Sequence, residues 1–139
     1  MIPSVEVNPI AILVCAIVYM IVGSLWYSPL LFGKRWMHLS GITKQSMDKS
    51  KTRGMSQTYG IAFVSSLVMS FIIAHVVAYA NAETFIQGMQ IGFWLWLGLA
   101  APIIMSGSLW EGKPWELFLI NSSQYLVSLV IVSGILAAW

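Results

Sequence analysis

Charge is what this sequence has least of: 9% of its 139 residues are Asp, Glu, Lys or Arg, while 58% are hydrophobic. An ordinary soluble domain carries about 25% charged residues, so a fold wetted on every side is excluded. There is a single cysteine, Cys15, inside an apolar run, which excludes a disulfide framework and a thiolate metal cluster. Carboxylates are missing from the interior of every long apolar stretch, and Glu116 stands only at the edge of one. Proton-coupled transporters usually keep a carboxylate at membrane depth, so that class is disfavoured. The length also leaves no room for a separate catalytic domain beside four apolar helices of about 20 residues each. Any site must lie in the helices or in the short loops between them.

What is present is four apolar stretches, predicted as spans at about 9–32, 58–79, 85–105 and 115–138 of a single domain, 1–139. The expected class is all-α: a polytopic transmembrane bundle of four helices. Asn8 is placed to cap the first span, with Pro9 at the first helical position, where its missing N–H costs nothing. The segment before it has Glu6, no Lys or Arg and no small-x-small cleavage pattern, so the span is expected to be retained rather than cleaved as a signal peptide. Ser28-Pro29 should kink or end that helix near its far end. Residues 33–57 form a basic loop holding Lys34, Arg35, Lys44, Lys49, Lys51 and Arg53 against Asp48, with room for a short surface helix. The turn Asn81-Ala82-Glu83-Thr84 leads straight into the third span, and Thr84 with Gln87 has the capping-box spacing. The second and third spans are therefore expected to form a tight antiparallel hairpin. Gly107 to Lys113 is the next loop, and Pro114 sits where the last helix can begin.

All seven Lys and Arg fall in the first and third loops, which two crossings place on one side of a membrane. The positive-inside rule makes that side the cytoplasm, with both termini outside and a cell (inner) membrane, multi-pass location. Trp26, Tyr27, Trp36, Tyr59, Trp110 and Trp115 then belong to one interface and Tyr79, Phe85 and Trp139 to the other.

Helices in lipid associate through close approach at small residues and through interhelical hydrogen bonds. Ala62, Ser66, Ser70, Ala74 and Ala78 recur every fourth residue in the second span, and Gly88 and Gly92 have GxxxG spacing in the third. The tightest contact is expected where those glycines meet Ala74 and Ala78. Asn121, Gln124 and Ser128 share a face of the last span and should turn inward, as polar groups at membrane depth must find partners. Gln90 and His75 complete the intramembrane polar set. His75 reads either as a proton relay or a metal or haem ligand, or as a neutral histidine bonded to a serine or carbonyl across a helix interface. His38 belongs to the opposite side of the membrane, so a shared metal is not expected. Neither histidine has a serine and acid partner at matched depth, and no catalytic residue is assigned. Gly33-Lys34-Arg35 lacks the glycine-rich run of a phosphate loop. Glu111 and Lys113, with Glu116, are placed to pair with Lys34 or Arg35 at the cytoplasmic rim. The tetrapeptide Gly-Ser-Leu-Trp occurs twice, at Gly23–Trp26 and Gly107–Trp110, which would fit two helical hairpins related by an axis along the membrane normal.

The segment Gly23-Ser24-Leu25-Trp26-Tyr27-Ser28-Pro29-Leu30-Leu31-Phe32-Gly33-Lys34-Arg35-Trp36-Met37 resembles the signature of the family catalogued as domain of unknown function 1761. Trp110-Glu111-Gly112-Lys113-Pro114 is similar to that family's acidic-Gly-basic loop, and Leu119-Ile120-Asn121 to its final span. The resemblance implies a small bacterial-type four-helix membrane protein and no particular activity. It differs from the small multidrug-resistance transporters, whose first helix carries a glutamate where this chain reads Cys15-Ala16-Ile17-Val18-Tyr19. The signature itself reads as an interfacial corner or, alternatively, as a rim pocket in which Trp26, Tyr27, Trp110, Glu111 and Asn121 face one another.

Three functions remain: binding or passage of a small molecule or lipid by a non-enzymatic homo-oligomer; a structural or assembly subunit of a larger membrane complex; and a membrane enzyme or haem carrier using His75. The partners expected are membrane lipids, further copies of the chain and an unidentified small ligand, with no nucleic acid, no metal and no cofactor.

Overall fold

A computed structural model describes residues 4–41 and 55–139, and among them every regular element is helical. Lys44, Asp48, Lys49, Lys51 and Arg53 of the basic loop lie outside the described residues. Helix α1 (Pro9–Trp26) starts on Asn8, whose Oδ1 accepts from the N–H groups of Ile10 at 2.8 Å and Ala11 at 3.3 Å. Two of the donors that a helix leaves unpaired are thereby satisfied. The helix ends at Trp26, not at Phe32. Ser28 precedes a proline and is pushed out of the α region. Its hydroxyl donates to the Leu25 carbonyl at 2.7 Å, and the chain folds back through Phe32 N–H to Trp26 O at 3.1 Å and Gly33 N–H to Ser28 O at 2.9 Å. A Cβ at Gly33 would stand 2.3 Å from the Tyr27 carbonyl oxygen, so this corner requires glycine there. Helix α2 (Gly33–Ser40) follows, closed by Gly41 at φ 71°.

Helix α3 (Met55–Tyr79) and the turn after it, with Asn81 at φ 56°, lead to Thr84. Thr84 Oγ1 accepts from Gln87 N–H at 3.2 Å while Gln87 Oε1 accepts from Thr84 N–H at 3.3 Å, a reciprocal capping box. The third span then runs as α4 (Phe85–Leu95), one wide π turn (Trp96–Ala100) and α5 (Ala101–Glu111). Pro102 explains the wide turn: it has no N–H for the carbonyl one turn back and its ring crowds that carbonyl. Widening the turn, with Ala101 N–H bonded to Trp96 O, relieves both problems. The span passes residue 105, where it was expected to end, because a lone glycine such as Gly107 costs a helix only about 1 kcal/mol. It stops at Gly112, φ 67°, and Pro114 precedes α6 (Trp115–Ala138).

Four helices, Pro9–Trp26, Ser56–Tyr79, Phe85–Glu111 and Trp115–Ala138, are long and apolar enough to cross a membrane, the mark of a multi-pass membrane protein. Helices α1, α3 and α6 pack on one another around Cys15, Ile73, Val77, Leu129 and Val132. The third span leans on α6 instead of pairing with α3. A Cβ at Gly88 would lie 2.2 Å from Ser133 O, and one at Gly92 2.5 Å from Leu129 O. The glycine backbone of α4 therefore packs directly on that of α6, which corrects the expected meeting of Gly88 and Gly92 with Ala74 and Ala78. Gly134 of α6 accounts for the change of partner, since it lets the Phe85 ring and the Gly88 backbone come close where a larger residue would hold them off. The α3 stripe faces α1 and α6: Ser66, Ser70 and Ala74 are buried, and Ala62 and Ala78 are half-buried.

Candidate functional site

At the end of the bundle that carries Trp26, an aromatic corner joins the end of α1 to the start of α6. Trp26 Nε1–H donates to the Ile120 carbonyl at 2.9 Å, and the Tyr27 hydroxyl donates to Asn121 Oδ1 at 2.8 Å. Phe32 packs on Trp26 with ring centroids 5.0 Å apart, and Trp36 packs on Tyr27 at 5.1 Å. Burial pushes the Tyr27 phenol up to about 12, with a smaller contribution from Tyr125, so it remains a donor. Arg35 grips Glu116 with two parallel bonds, Nε to Oε1 and Nη2 to Oε2, each 2.6 Å, and these hold the guanidinium above its usual range. Lys113 pairs with Glu111 at 2.8 Å. The structure thus brings Trp26, Tyr27 and Asn121 together but leaves Trp110 88% exposed and Glu111 outside the group. The five residues do not face one another around a pocket. Rings fill the corner, and Trp110 lies in the last turn of its helix, exposed among the described residues.

The intramembrane polar residues divide in the same way. Gln124 and Ser128 are buried between α6 and its neighbours, and Gln124 Nε2 donates to Ser128 Oγ at 3.0 Å. Tyr19 stands beside Gln124, its ring 6.5 Å from that of Tyr125. His75 is peripheral: its Nδ1 pairs at 2.8 Å with the carbonyl of Phe71 on its own helix, and its ring stacks between Phe71 and Tyr79. A partner one turn back on α3 replaces the expected partner across a helix interface, because the side chain leans toward the outer face that Phe71 and Tyr79 expose. Gln90 is exposed on α4 beside Ile86, Met89, Phe93, Trp94 and Val130. His75 and Gln90 therefore share no site with Gln124 and Ser128.

Sequence reasoning missed an apolar groove of about 560 Å³ between α3 and the third span. Met69, Ile72, Ile73 and Val76 form one wall, Leu95, Leu99, Ala100, Ile103 and Ile104 the other, and Tyr125 and Leu129 of α6 the floor. It lies where the third span, held to α6 at Gly88 and Gly92, stands off α3. Trp96 fixes the turn by donating from Nε1 to the Ser122 carbonyl at 2.8 Å. The signal available beforehand was Pro102 inside an apolar span, a mark of local widening or a kink. Tyr125 is the one polar side chain in the lining, and it offers neither a nucleophile nor an acid–base pair. Among the described residues no group of three or more His, Cys, Asp or Glu could hold a metal ion.

The model of a family described as protein of unknown function, DUF1761, matches residues 10–137. Comparison with curated proteins and with solved structures gives no match.

Proposed function

This chain belongs to the DUF1761 family of proteins of unknown function, and from that premise we propose that it binds the hydrocarbon chain of a lipid-like amphiphile within a membrane. The observation that carries the proposal is the groove between α3 and the third span. Its volume, about 560 Å³, falls within the roughly 300–1,000 Å³ of small-molecule sites. Its wall is apolar and opens sideways, so an occupant arrives from the bilayer rather than from water. In this reading the Trp26 end, with Lys34, Arg35 and Lys113, faces the cytoplasm of a cell membrane, and the Asn81 end, with Glu6 and Glu83, faces out.

The same reading makes the protein a homo-oligomer. Over an 18-residue apolar stretch, 11% of the third span's residues are buried, against 44% of those of α6, and Gln90 presents an amide to its uncovered side. An amide at membrane depth gains by finding a partner on another helix. An assembly role beside a different membrane protein is the second reading, and the same Gln90 and Trp94 face favours it.

Native mass spectrometry of the protein released from a mild detergent tests these readings together. The expected result is a defined oligomer retaining an amphiphile of reproducible mass, lost on Leu99→Trp, which fills the groove. A protein carrying scattered lipid that Leu99→Trp leaves unchanged would overturn the binding site. A bare monomer would move the argument to the assembly role.

A further inference from the structure

At the Asn81 end, the mouth of the α1–α3–α6 cluster holds a second cavity, of about 210 Å³, which shares no residue with the lateral groove. Its wall is built from small side chains, Ala11, Ala74 and Ala78 among them, with Glu6, Asn8 and Trp139 at the rim. Among the described residues, Glu6 is the one charged side chain in its lining. All seven Lys and Arg lie elsewhere in the sequence, from Lys34 to Arg53 and at Lys113. Helices α3 and α6 both bring their C-terminal, partially negative ends to this mouth. The one N-terminus present, that of α1, is already satisfied by the Asn8 side chain. One turn below Ala74 on the same face, the Ser70 hydroxyl is fully buried and has no hydrogen-bond partner.

We propose that this outer vestibule binds a small organic cation through an ammonium group, with Glu6 as its counter-charge and the Trp139 ring as an aromatic wall. The chemistry follows from the set of groups present. A carboxylate and two helix C-termini supply negative potential, an indole face attracts a quaternary or primary ammonium, and the alanines leave room for one small molecule. A bare metal ion fits less well, because among the described residues the lining offers one carboxylate side chain, far from the several oxygen ligands that a hard cation needs. An ammonium group reaches such a site either as a free small amine or as the headgroup of a lipid.

Calorimetric titration of the full chain in an uncharged maltoside detergent with choline chloride separates these cases, with sodium chloride as the blank. The expected result is saturable choline binding that weakens by about tenfold or more in Glu6→Gln, the loss of one charge-assisted contact. Glu83→Gln, which removes the other acidic side chain of that end without touching the cavity, should leave binding within about twofold, since rim charges away from a contact have little effect on affinity. If choline fails to bind, native mass spectrometry from nanodiscs containing phosphatidylethanolamine is the second arm. Glu6-dependent retention of that lipid supports the site with a headgroup as its occupant. The proposal is overturned if neither probe binds, or if binding is indifferent to Glu6→Gln in protein of unchanged helical circular dichroism.

Discussion

Gly23–Trp26 and Gly107–Trp110 are the same four residues at the same end of the bundle. In the first copy a Cβ on Gly23 would rest 3.6 Å from Gln124, and Trp26 is bonded to the Ile120 carbonyl. In the second copy Gly107 has open space around it and Trp110 is 88% exposed. Local sequence therefore does not decide the fate of these residues. Tyr27 to Gly33 folds the first copy under the bundle and bolts it to α6, whereas Gly112 turns the second copy straight into α6 and leaves Trp110 off it, its helix being held farther up, at Gly88, Gly92 and Trp96. One helix end is fixed and the other is free, and the lateral groove follows from the free one. The unequal surroundings also weigh against reading the tetrapeptides as marks of two equivalent hairpins.

The comparison breaks most visibly at glycine. Gly92→Ala places a Cβ against backbone that cannot move without separating α4 from α6, and overpacking of this kind costs about 1–3 kcal/mol. Gly107→Ala adds the same methyl to an unhindered helix interior and should stabilise by about 0.5–1 kcal/mol. Thermal unfolding in detergent should show opposite signs for one substitution made at two places in one span. If Gly92→Ala proved neutral, the third span would not be held where the structure places it.

Much of this architecture can be read from particular residues. The caps at Asn8 and Thr84 announce helix starts through local hydrogen bonding, and Gly112 with Pro114 announces a stop and a restart. Such signals need only neighbours a few residues away. The partner of Gly88 and Gly92 was not legible, because a small-residue face says how closely a helix can be approached and not by which other helix. Gly134, which settles the choice, lies in a different span and carries no spacing signal linking it to them. Asn121 could be placed beside Tyr27 by depth and polarity, but Trp110 at the same depth could not be separated from Trp26. The groove was invisible for a related reason: it consists of apolar residues that fail to meet, and nothing in a row of Ile and Leu records a missing contact.

A smaller effect sharpens the contrast between the two tryptophans. Trp26→Phe keeps an aromatic ring but removes the Nε1–H that bonds to Ile120. Interhelical hydrogen bonds in membranes average about 0.6 kcal/mol, and removing this one also strips Phe32 of part of its stacking surface, so a loss of about 1 kcal/mol is expected. Trp110→Phe should stay within about 0.5 kcal/mol, as exposed substitutions do. Equal losses measured by thermal unfolding would mean that Trp110 is covered in the protein as purified, and would point to a partner on the free end of the third span.

The smallest effect belongs to the ion pair that closes the fixed end. Arg35 and Glu116 are both about half exposed, at 52% and 47%, so water screens the attraction between them and either single reversal should cost less than Trp26→Phe. Exchanging them, Arg35→Glu with Glu116→Arg, restores the pair, and the helix dipoles decide how completely. Glu116 stands in the first turn of α6, where a negative charge is favoured, and an arginine there loses that benefit. Arg35 stands in the first turn of α2, where a positive charge is disfavoured, and a glutamate there gains. The two changes oppose each other, so the exchanged protein should melt at nearly the native temperature while both single variants fall below it. If the exchange recovered nothing, the planar fork of the native arginine on Glu116, rather than the opposition of charge, would be what fastens α2 beneath the last helix.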